Sequence, residues 1–252
     1  MTHANIPMTD GAVRLLADRG ARLLTTGIAR RTAWGAAWLA TLVLCTGATA
    51  QEVDLSDLAS LEFHKTEGEW ASHQGSPGLR VTEPADERNN EEDKLVIIDV
   101  PFTDGAIEVE LSGEPAPGAA GGARGFVGVA FHVQPGGEAF EAFYIRPTNG
   151  RAEDQFRRNH STQYIAFPDY PWHRLREETP GLYEAYSDLV PGEWTRYRVE
   201  VEGEIARLYL HGNEQPTLLV NDLKLAGQGG AVGLWIGPGT VAHFRNLSIT
   251  PE

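Results

Sequence analysis

Past its first fifty residues, the chain alternates apolar and polar residues over short runs that glycine-rich turns separate. A period of two is typical of half-buried β-strands, and no long segment carries the period of an amphipathic helix. Turns such as Gly212-Asn213 and Gly237-Pro238-Gly239 punctuate the runs. The pattern predicts an all-β sandwich. The predicted strands are Leu61–Lys65, Leu79–Thr82, Lys94–Val100, Ala106–Ser112, Gly125–Val133, Phe140–Arg146, Thr162–Phe167, Trp194–Glu202, Ile205–His211, Thr217–Val220, Ala231–Ile236 and Val241–Ile249.

The alternation also predicts which face of each strand is buried. In Gly125–Val133 the odd-numbered residues from Val127 to Val133 are apolar, whereas the opposite face carries His132. Trp194–Glu202 alternates in the same way. One buried face and one wet face per strand requires two packed sheets. In a curved jelly roll, one of the wet faces forms a concave groove.

The N-terminal fifty residues have the features of a secretory signal. Arg30 and Arg31 precede an apolar run of 13 residues, Ala33–Cys45, which Ala48-Thr49-Ala50 follows as a small-residue cleavage pattern. We therefore predict a signal peptide over residues 1–50, a single domain over 51–252, and a periplasmic or secreted protein. The alternative is an uncleaved anchor, but the run is shorter than the roughly 20 residues that cross a bilayer. No stable membrane insertion is expected after cleavage.

Charge and cysteine content exclude several function classes for residues 51–252. Removing residues 1–50, with their five Arg and two Asp, changes the formal net charge from −14 to −17. Such a surface repels phosphate backbones, so a nucleic-acid partner is not expected. The only cysteine, Cys45, lies in the predicted signal. The remaining domain has no disulfide or thiol chemistry, and neither a cofactor nor a metal is expected.

The segment between Arg146 and Trp194 departs from the strand pattern. It contains nearly fifty residues and one predicted strand, and loops of this length are usually functional or disordered. Its aromatic content argues against disorder. It also concentrates positive charge on an acidic chain. The aromatic and basic residues are Phe156, Tyr164, Phe167, Tyr170, Trp172, Tyr183 and Tyr186, and Arg146, Arg151, Arg157, Arg158, Arg174 and Arg176.

The C-terminal half carries two motifs. Gly192–Val201 followed by Ile205–Asn213 resembles the "GEW…Y.I.V.G…..Y.NG" hairpin of concanavalin A-like, or laminin-G-like, domains, and Val232–Thr240 with Phe244–Ile249 looks like their last two strands. Among these domains, the chain looks most like the bacterial 3-keto-disaccharide hydrolase family. The resemblance implies a jelly-roll sandwich with a carbohydrate ligand or substrate. It is poorly specific for activity. The Glu-x-Asp-x-x-Glu motif of sandwich-fold glucanases is missing, so their retaining mechanism is not expected.

Sugar sites combine aromatic faces with fixed hydrogen-bonding groups, and the long segment is rich in both. Arg157–Tyr164 supplies the polar groups, while Tyr170 and Trp172, flanked by prolines, form a candidate stacking platform. Tyr144 and Arg146 share one parity and are expected to point into the groove. The alternative is that these residues only pack the segment onto the sandwich. The predicted ligand-binding residues are Tyr144, Arg146, Arg158, Asn159, His160, Gln163, Tyr164 and Trp172.

No residue set identifies a reaction. His132 and His160 are the candidate catalytic residues, although a lone strand histidine such as His132 also fits a structural role. Hydrolysis of a 3-keto-glycoside would need a base and a polarising group beside the ketone, for which a His or Tyr with an Arg would serve. Three hypotheses stay open: a glycoside hydrolase-like enzyme, a carbohydrate-binding module, and a structural or protein-binding sandwich. Carboxylates for glycoside hydrolysis could come from Glu141, Asp154, Asp169 or Glu184, and nothing selects a pair.

Overall fold

The structure, a computed structural model, describes residues 49–87, 89 and 91–252. The signal peptide expected over residues 1–50 lies outside these residues except for its last two, so it stays a prediction. Within the described part of the chain, no helix is long and apolar enough to cross a membrane.

The described chain forms fifteen β-strands and three short α-helices, which confirms the all-β prediction. All twelve predicted strands are present, most of them within two residues of their expected bounds. The strands are β1 (Gln51–Glu52), β2 (Glu62–His64), β3 (Glu67–His73), β4 (Ser76–Thr82), β5 (Lys94–Phe102), β6 (Gly105–Pro115), β7 (Val127–Val133), β8 (Phe140–Ile145), β9 (Thr162–Phe167), β10 (Glu184–Ala185), β11 (Thr195–Glu202), β12 (Ile205–Leu210), β13 (Leu218–Val220), β14 (Gly230–Ile236) and β15 (Thr240–Pro251). The helices are α1 (Pro147–Gly150), α2 (Gln155–Asn159) and α3 (Trp172–Glu178).

The strands pair into two antiparallel sheets. The front sheet has the order β10-β9-β8-β7-β14-β5-β2, and the back sheet has the order β13-β12-β11-β6-β15-β4-β3, with β1 also paired to β15. Successive strands from β4 to β7 alternate between the back and front sheets. This crossing gives the two-sheet jelly-roll sandwich that the sequence predicts.

The core lies between the sheets and takes the residues that the alternation assigns to it. Val127 and Val129 of β7, with Val199 and Val201 of β11, are almost fully buried in this core. The back sheet follows the prediction of one wet face. The front sheet does not, because its outer face buries a second apolar cluster. That cluster includes Leu95, Ile97, Ala130, Val133, Phe140, Ala142, Tyr144, Ile165 and Trp235.

A bulge in β7 corrects the expected position of His132. His132 has a φ of +53°, and the pairing of β7 with β14 shifts register beside it. The extra residue reverses the alternation, as bulges do. Val133 therefore joins the outer cluster instead of the core. His132 is fully buried, with Nδ1 2.7 Å from Glu141 Oε2 and Nε2 2.8 Å from the Thr103 carbonyl oxygen.

Glu141 is the centre of this interior network. Besides His132, its carboxylate accepts hydrogen bonds from the Tyr164 hydroxyl at 2.5 Å and the Lys224 backbone N–H at 2.6 Å. Both His132 nitrogens lie within hydrogen-bond distance of oxygen atoms, and this geometry favours the doubly protonated ring. Burial opposes that charge, but hydrogen bonds to Glu141 and to the Thr103 carbonyl raise the pKa of His132 above its usual range. Tyr164 and His132 are thus core residues.

The sequence pattern misses β1, β3, β10 and the three helices. β3 lies at the edge of the back sheet and carries mostly polar residues, so it has no apolar face to reveal it. β10 has only two residues. The helices have four to seven residues, too few for a helical period to emerge. The segment from Arg146 to Trp194 is therefore a layer of short elements.

Replacing Glu141 by Ala tests the interior network. The substitution leaves the charged His132 ring and two further donors buried without their acceptor, so we expect a loss of about 3–5 kcal/mol in the free energy of unfolding. Urea unfolding followed by tryptophan fluorescence measures it. Glu138→Ala, at an exposed position close in sequence, is the matched control. Equal stability of the two variants would contradict the assignment.

Candidate functional site

A cleft of about 1010 Å³ opens over the outer face of the front sheet. Its floor comes from β8 and β14. Its walls come from the connection between β6 and β7, from α1 to α3, and from the connections between β4 and β5 and between β14 and β15. The segment that breaks the strand pattern therefore forms much of the wall.

Two aromatic rings make the floor. Tyr144 and Trp235 are each 1% exposed, and their rings stack with centroids 4.5 Å apart. They belong to strands that flank β7, and both residues pair in register with Gly128. A Cβ at residue 128 would lie 2.6 Å from Tyr144 Cα. The missing side chain lets the two rings approach across the central strand.

Arg146 lies beside this floor and is held by a buried network. Its Nη2 donates to the Tyr144 hydroxyl at 2.9 Å and to Gln163 Oε1 at 3.0 Å, and its Nη1 donates to Glu184 Oε1 at 3.2 Å. Gln163 is fully buried, and its amide nitrogen donates hydrogen bonds to the backbone carbonyls of residues 164 and 183. Gln163 therefore positions Arg146 and does not reach the cleft.

Glu184 contacts two arginines and one histidine. In addition to Arg146, its carboxylate accepts from Arg176 Nε at 3.0 Å, and His160 Nε2 lies 3.2 Å away. The Glu184 side chain is only 2% exposed. A buried carboxylate is tolerated when cations and hydrogen bonds replace its hydration, and here three elements supply them.

The cleft has aromatic groups at its wall and mouth. Trp172 lies in the wall, with the Arg176 guanidinium 4.6 Å from its ring. Phe156 lines the mouth, is 64% exposed, and packs its ring 4.2 Å from His160. Tyr170, the expected partner of Trp172, does not line the cleft and lies 4.4 Å from the Arg174 guanidinium. No strand pattern or motif in the sequence identified Phe156 as a cleft residue. The one feature that pointed to it was an aromatic side chain within the basic segment.

The structure brings four of the predicted ligand residues to the cleft: Tyr144, Arg146, His160 and Trp172. Arg158 and Asn159 do not line it. Arg158 Nη2 donates to the Tyr186 hydroxyl at 2.9 Å, and Asn159 Oδ1 accepts from Gln155 at 2.7 Å. Arg158 and Asn159 point away from the cleft because they lie in α2, where successive side chains are rotated by about 100° around the helix axis.

The neighbour Arg157 is the arginine of α2 that lines the cleft. The predicted ligand residue Arg158 does not line the cleft, whereas its neighbour Arg157 does. Of the two candidate catalytic histidines, His160 lies at the cleft and His132 is enclosed between the sheets.

The carboxylates at the cleft are Glu67, Glu83 and Glu92, none of which is among the four expected candidates. Those four are occupied or lie elsewhere: Glu141 is in the core, Glu184 holds the arginines, and Asp154 caps α2 through the Phe156 N–H. Asp169 is exposed and does not line the cleft.

Two of these carboxylates, Glu83 and Glu92, come from the acidic stretch 83–93 between β4 and β5. Glu83 Oε1 accepts from the Gly239 N–H at 3.0 Å. The Glu92 backbone carbonyl accepts from Trp235 Nε1 at 2.6 Å. Burial raises the pKa of the Glu92 carboxyl to about 7, against the opposing effect of Arg146 and Lys94. The stretch is thus fastened over the cleft floor.

Comparison with known proteins supports the fold. No protein family and no curated protein matches the chain. Among solved structures, it is similar to the carbohydrate binding module CBM66 from Bacillus subtilis, with 13% identity, a TM-score of 0.51, and coverage of 76% of this chain and 96% of that one. A protein of unknown function with a galectin-like fold from Bacillus subtilis shares 11% identity over 80% and 98%, with a TM-score of 0.48. A putative glycosyl hydrolase from Parabacteroides distasonis shares 12% over 78% and 90%, with a TM-score of 0.47.

Glu92 gives the domain a pH-dependent stability. A carboxyl whose pKa rises from 4.5 to about 7 on folding binds its proton more tightly in the folded state. Glu92 therefore contributes to the free energy of unfolding below pH 4.5, and this contribution is lost as the pH rises to about 7. The loss is at most about 3 kcal/mol. We expect Glu92→Gln to be more stable than the parent chain at pH 8 and to differ less at pH 4.5. Urea midpoints across this range measure it, and parallel profiles would contradict it.

Proposed function

We propose that the cleft binds a saccharide. The observation that carries this proposal is Phe156, an aromatic ring left largely exposed at the mouth of a cleft with fixed polar groups. The C–H-rich face of a sugar ring stacks on such a ring, while guanidinium and imidazole groups donate to its hydroxyls. Arg146, Arg176 and His160 are already held in place by Glu184, so binding need not order them.

The size of the cleft fits this ligand class. Ligand cavities typically measure about 300–1,000 Å³, and this cleft is at the upper end of that range. It has room for an oligosaccharide rather than a single ring. The fold shared with a carbohydrate binding module supports the same proposal. The polar groups of Arg157–Tyr164 have internal partners, as a purely structural role requires, but Arg157 and His160 also line the cleft, where a ligand can reach them.

A second candidate function is hydrolysis of a glycoside or 3-keto-glycoside. Glu92 favours it, because a general acid needs a carboxyl that keeps its proton near neutral pH. Glu83 is the companion carboxylate nearest in sequence that lines the cleft. Incubating the domain with glycosides and 3-keto-glycosides, with products read by mass, separates an enzyme from a binder. Product formation that survives Glu92→Gln unchanged would exclude Glu92 as the acid.

Phe156→Ala tests the binding proposal. Losing the exposed ring should weaken saccharide binding at least tenfold, or about 1.4 kcal/mol, with little change in stability. Calorimetric titration against a panel of oligosaccharides measures the affinity. The control is Trp70→Ala, which removes a 43% exposed aromatic from β3 that does not line the cleft. Equal losses in the two variants, or none in Phe156→Ala, would contradict the site.

We also propose that the domain is exported and begins at or near Gln51. The basis is the signal-like sequence of residues 1–50. N-terminal sequencing of the protein recovered from a bacterial periplasm or medium should begin within a few residues of Gln51. Recovery of the chain only from the membrane fraction, with residues 1–50 intact, would show an anchor instead.

A further inference from the structure

Two arginines at the cleft have no acidic partner within the described part of the chain. Arg124, on the connection between β6 and β7, and Arg157, on α2, both line it. No carboxylate of the described residues lies within 4.0 Å of either guanidinium. Arg146 and Arg176 differ, because both contact Glu184.

The hydrogen bonds of these two arginines are to neutral groups only. Arg124 donates from Nη1 to the carbonyls of Gly121 at 2.7 Å and Ala123 at 2.9 Å. Arg157 donates to Asn149 Oδ1 from Nε at 3.3 Å and from Nη2 at 3.2 Å. These contacts fix where the guanidiniums lie and leave their charge uncompensated.

The two arginines belong to elements that contact each other. The Thr148 N–H at the start of α1 donates to the Arg124 carbonyl at 3.3 Å, which joins the β6–β7 connection to the helical layer. Burial lowers the pKa of Arg124, and the nearby charges of Arg157 and Arg146 lower it further. The guanidiniums of Arg157 and Arg146 are therefore close enough to repel that of Arg124 at this end of the cleft.

The chain has enough acidic residues to pair every arginine, so a lack of carboxylates does not explain why the arginines cluster at the cleft. Residues 51–252 carry 33 acidic and 16 basic side chains, yet among the residues that the structure describes five arginines line the cleft against three glutamates. The glutamates come from β3 and the β4–β5 connection, and one of them, Glu83, already accepts from the Gly239 N–H. Unpaired like charges oppose folding, and a bound anion would remove the repulsion.

We propose that Arg124 and Arg157 bind the carboxylate of an acidic saccharide, so that the ligand of the cleft contains a uronic acid. This inference rests on the proposed saccharide site and specifies its ligand. A guanidinium is planar and offers paired N–H groups that match the two oxygens of a carboxylate. The sugar ring would lie against Phe156, on the same short helix as Arg157, while Arg146 and His160 contact its hydroxyls.

The test compares uronic acid oligosaccharides with their carboxyl-reduced forms, which keep the ring and linkage and lose the charge. The probes are oligomers of galacturonate, glucuronate, mannuronate and guluronate, titrated calorimetrically at low and high salt. At least one charged oligomer should bind at least tenfold more tightly than its reduced form. The difference should shrink at high salt, because screening weakens exposed charge pairs.

Matched variants assign that preference to residues. Arg124→Gln and Arg157→Gln should each reduce the charged-to-reduced affinity ratio by at least tenfold. Arg158→Gln, one residue away but held against Tyr186, should leave the ratio unchanged. Without ligand, the first two variants should melt at the same temperature as the parent domain or higher, since each removes a repulsion. A structural role would lower the melting temperature instead.

Each remaining outcome overturns a different statement. Equal binding of charged and reduced oligomers would refute the carboxylate site while leaving the saccharide site standing. Binding of neither form of any probe, when neutral oligosaccharides do not bind either, would refute both. A charge preference that survives Arg124→Gln and Arg157→Gln together would place the anion elsewhere and refute this assignment.

Discussion

Glu184 keeps its carboxylate buried on the edge strand of the front sheet, and two arginines and a histidine from separate parts of the chain converge on it. Such a charge is expensive to leave unpaired, so the carboxylate holds Arg146, Arg176 and His160 in fixed positions. Each of these residues then supports a part of the cleft: Arg146 lies by the floor, Arg176 packs on Trp172, and His160 packs on Phe156. One interaction thus docks the layer between β8 and β11 and shapes the site within it.

The electrostatics of the cleft follow from this arrangement. The negative charge of Glu184 offsets the positive charges of Arg146 and Arg176, whereas Arg124 and Arg157 have no comparable partner among the described residues. Glu92, with a pKa of about 7, carries only part of a negative charge near neutral pH. The cleft is therefore a positive region on a strongly acidic domain, which is the property that a ligand with negative charge would use.

Strand parity predicted which side of the front sheet the residues of β8 face. β8 has no bulge, so parity placed Tyr144 and Arg146 together at the cleft. The same reasoning failed at His132, because an unpredicted bulge with positive φ reverses the alternation. Residue type alone did not distinguish Arg157 from Arg158, because a five-residue helix is too short to recognise and it turns Arg157 to the cleft.

Two parts of the site depend on contacts that are distant in sequence. Glu184 lies on a strand of two residues, and its partners come from positions 146, 160 and 176. Glu92 belongs to a stretch whose composition suggests a solvated loop, but Lys65 bridges Glu91 at 2.9 Å and Asp93 at 2.7 Å and fastens it. No local pattern encodes such pairings, because they arise only when the sandwich has formed.

The indole N–H resonances of the domain give the most direct test of where the ligand binds. Residues 51–252 contain four tryptophans, of which Trp172 and Trp235 line the cleft, whereas Trp70 and Trp194 are associated with the back sheet. Titrating a ¹⁵N-labelled domain with the tightest-binding uronic acid oligomer should shift the signals of Trp172 and Trp235 and leave the other two in place. Shifts confined to Trp70 or Trp194 would contradict the account, because the saccharide would then be bound on the opposite side of the sandwich.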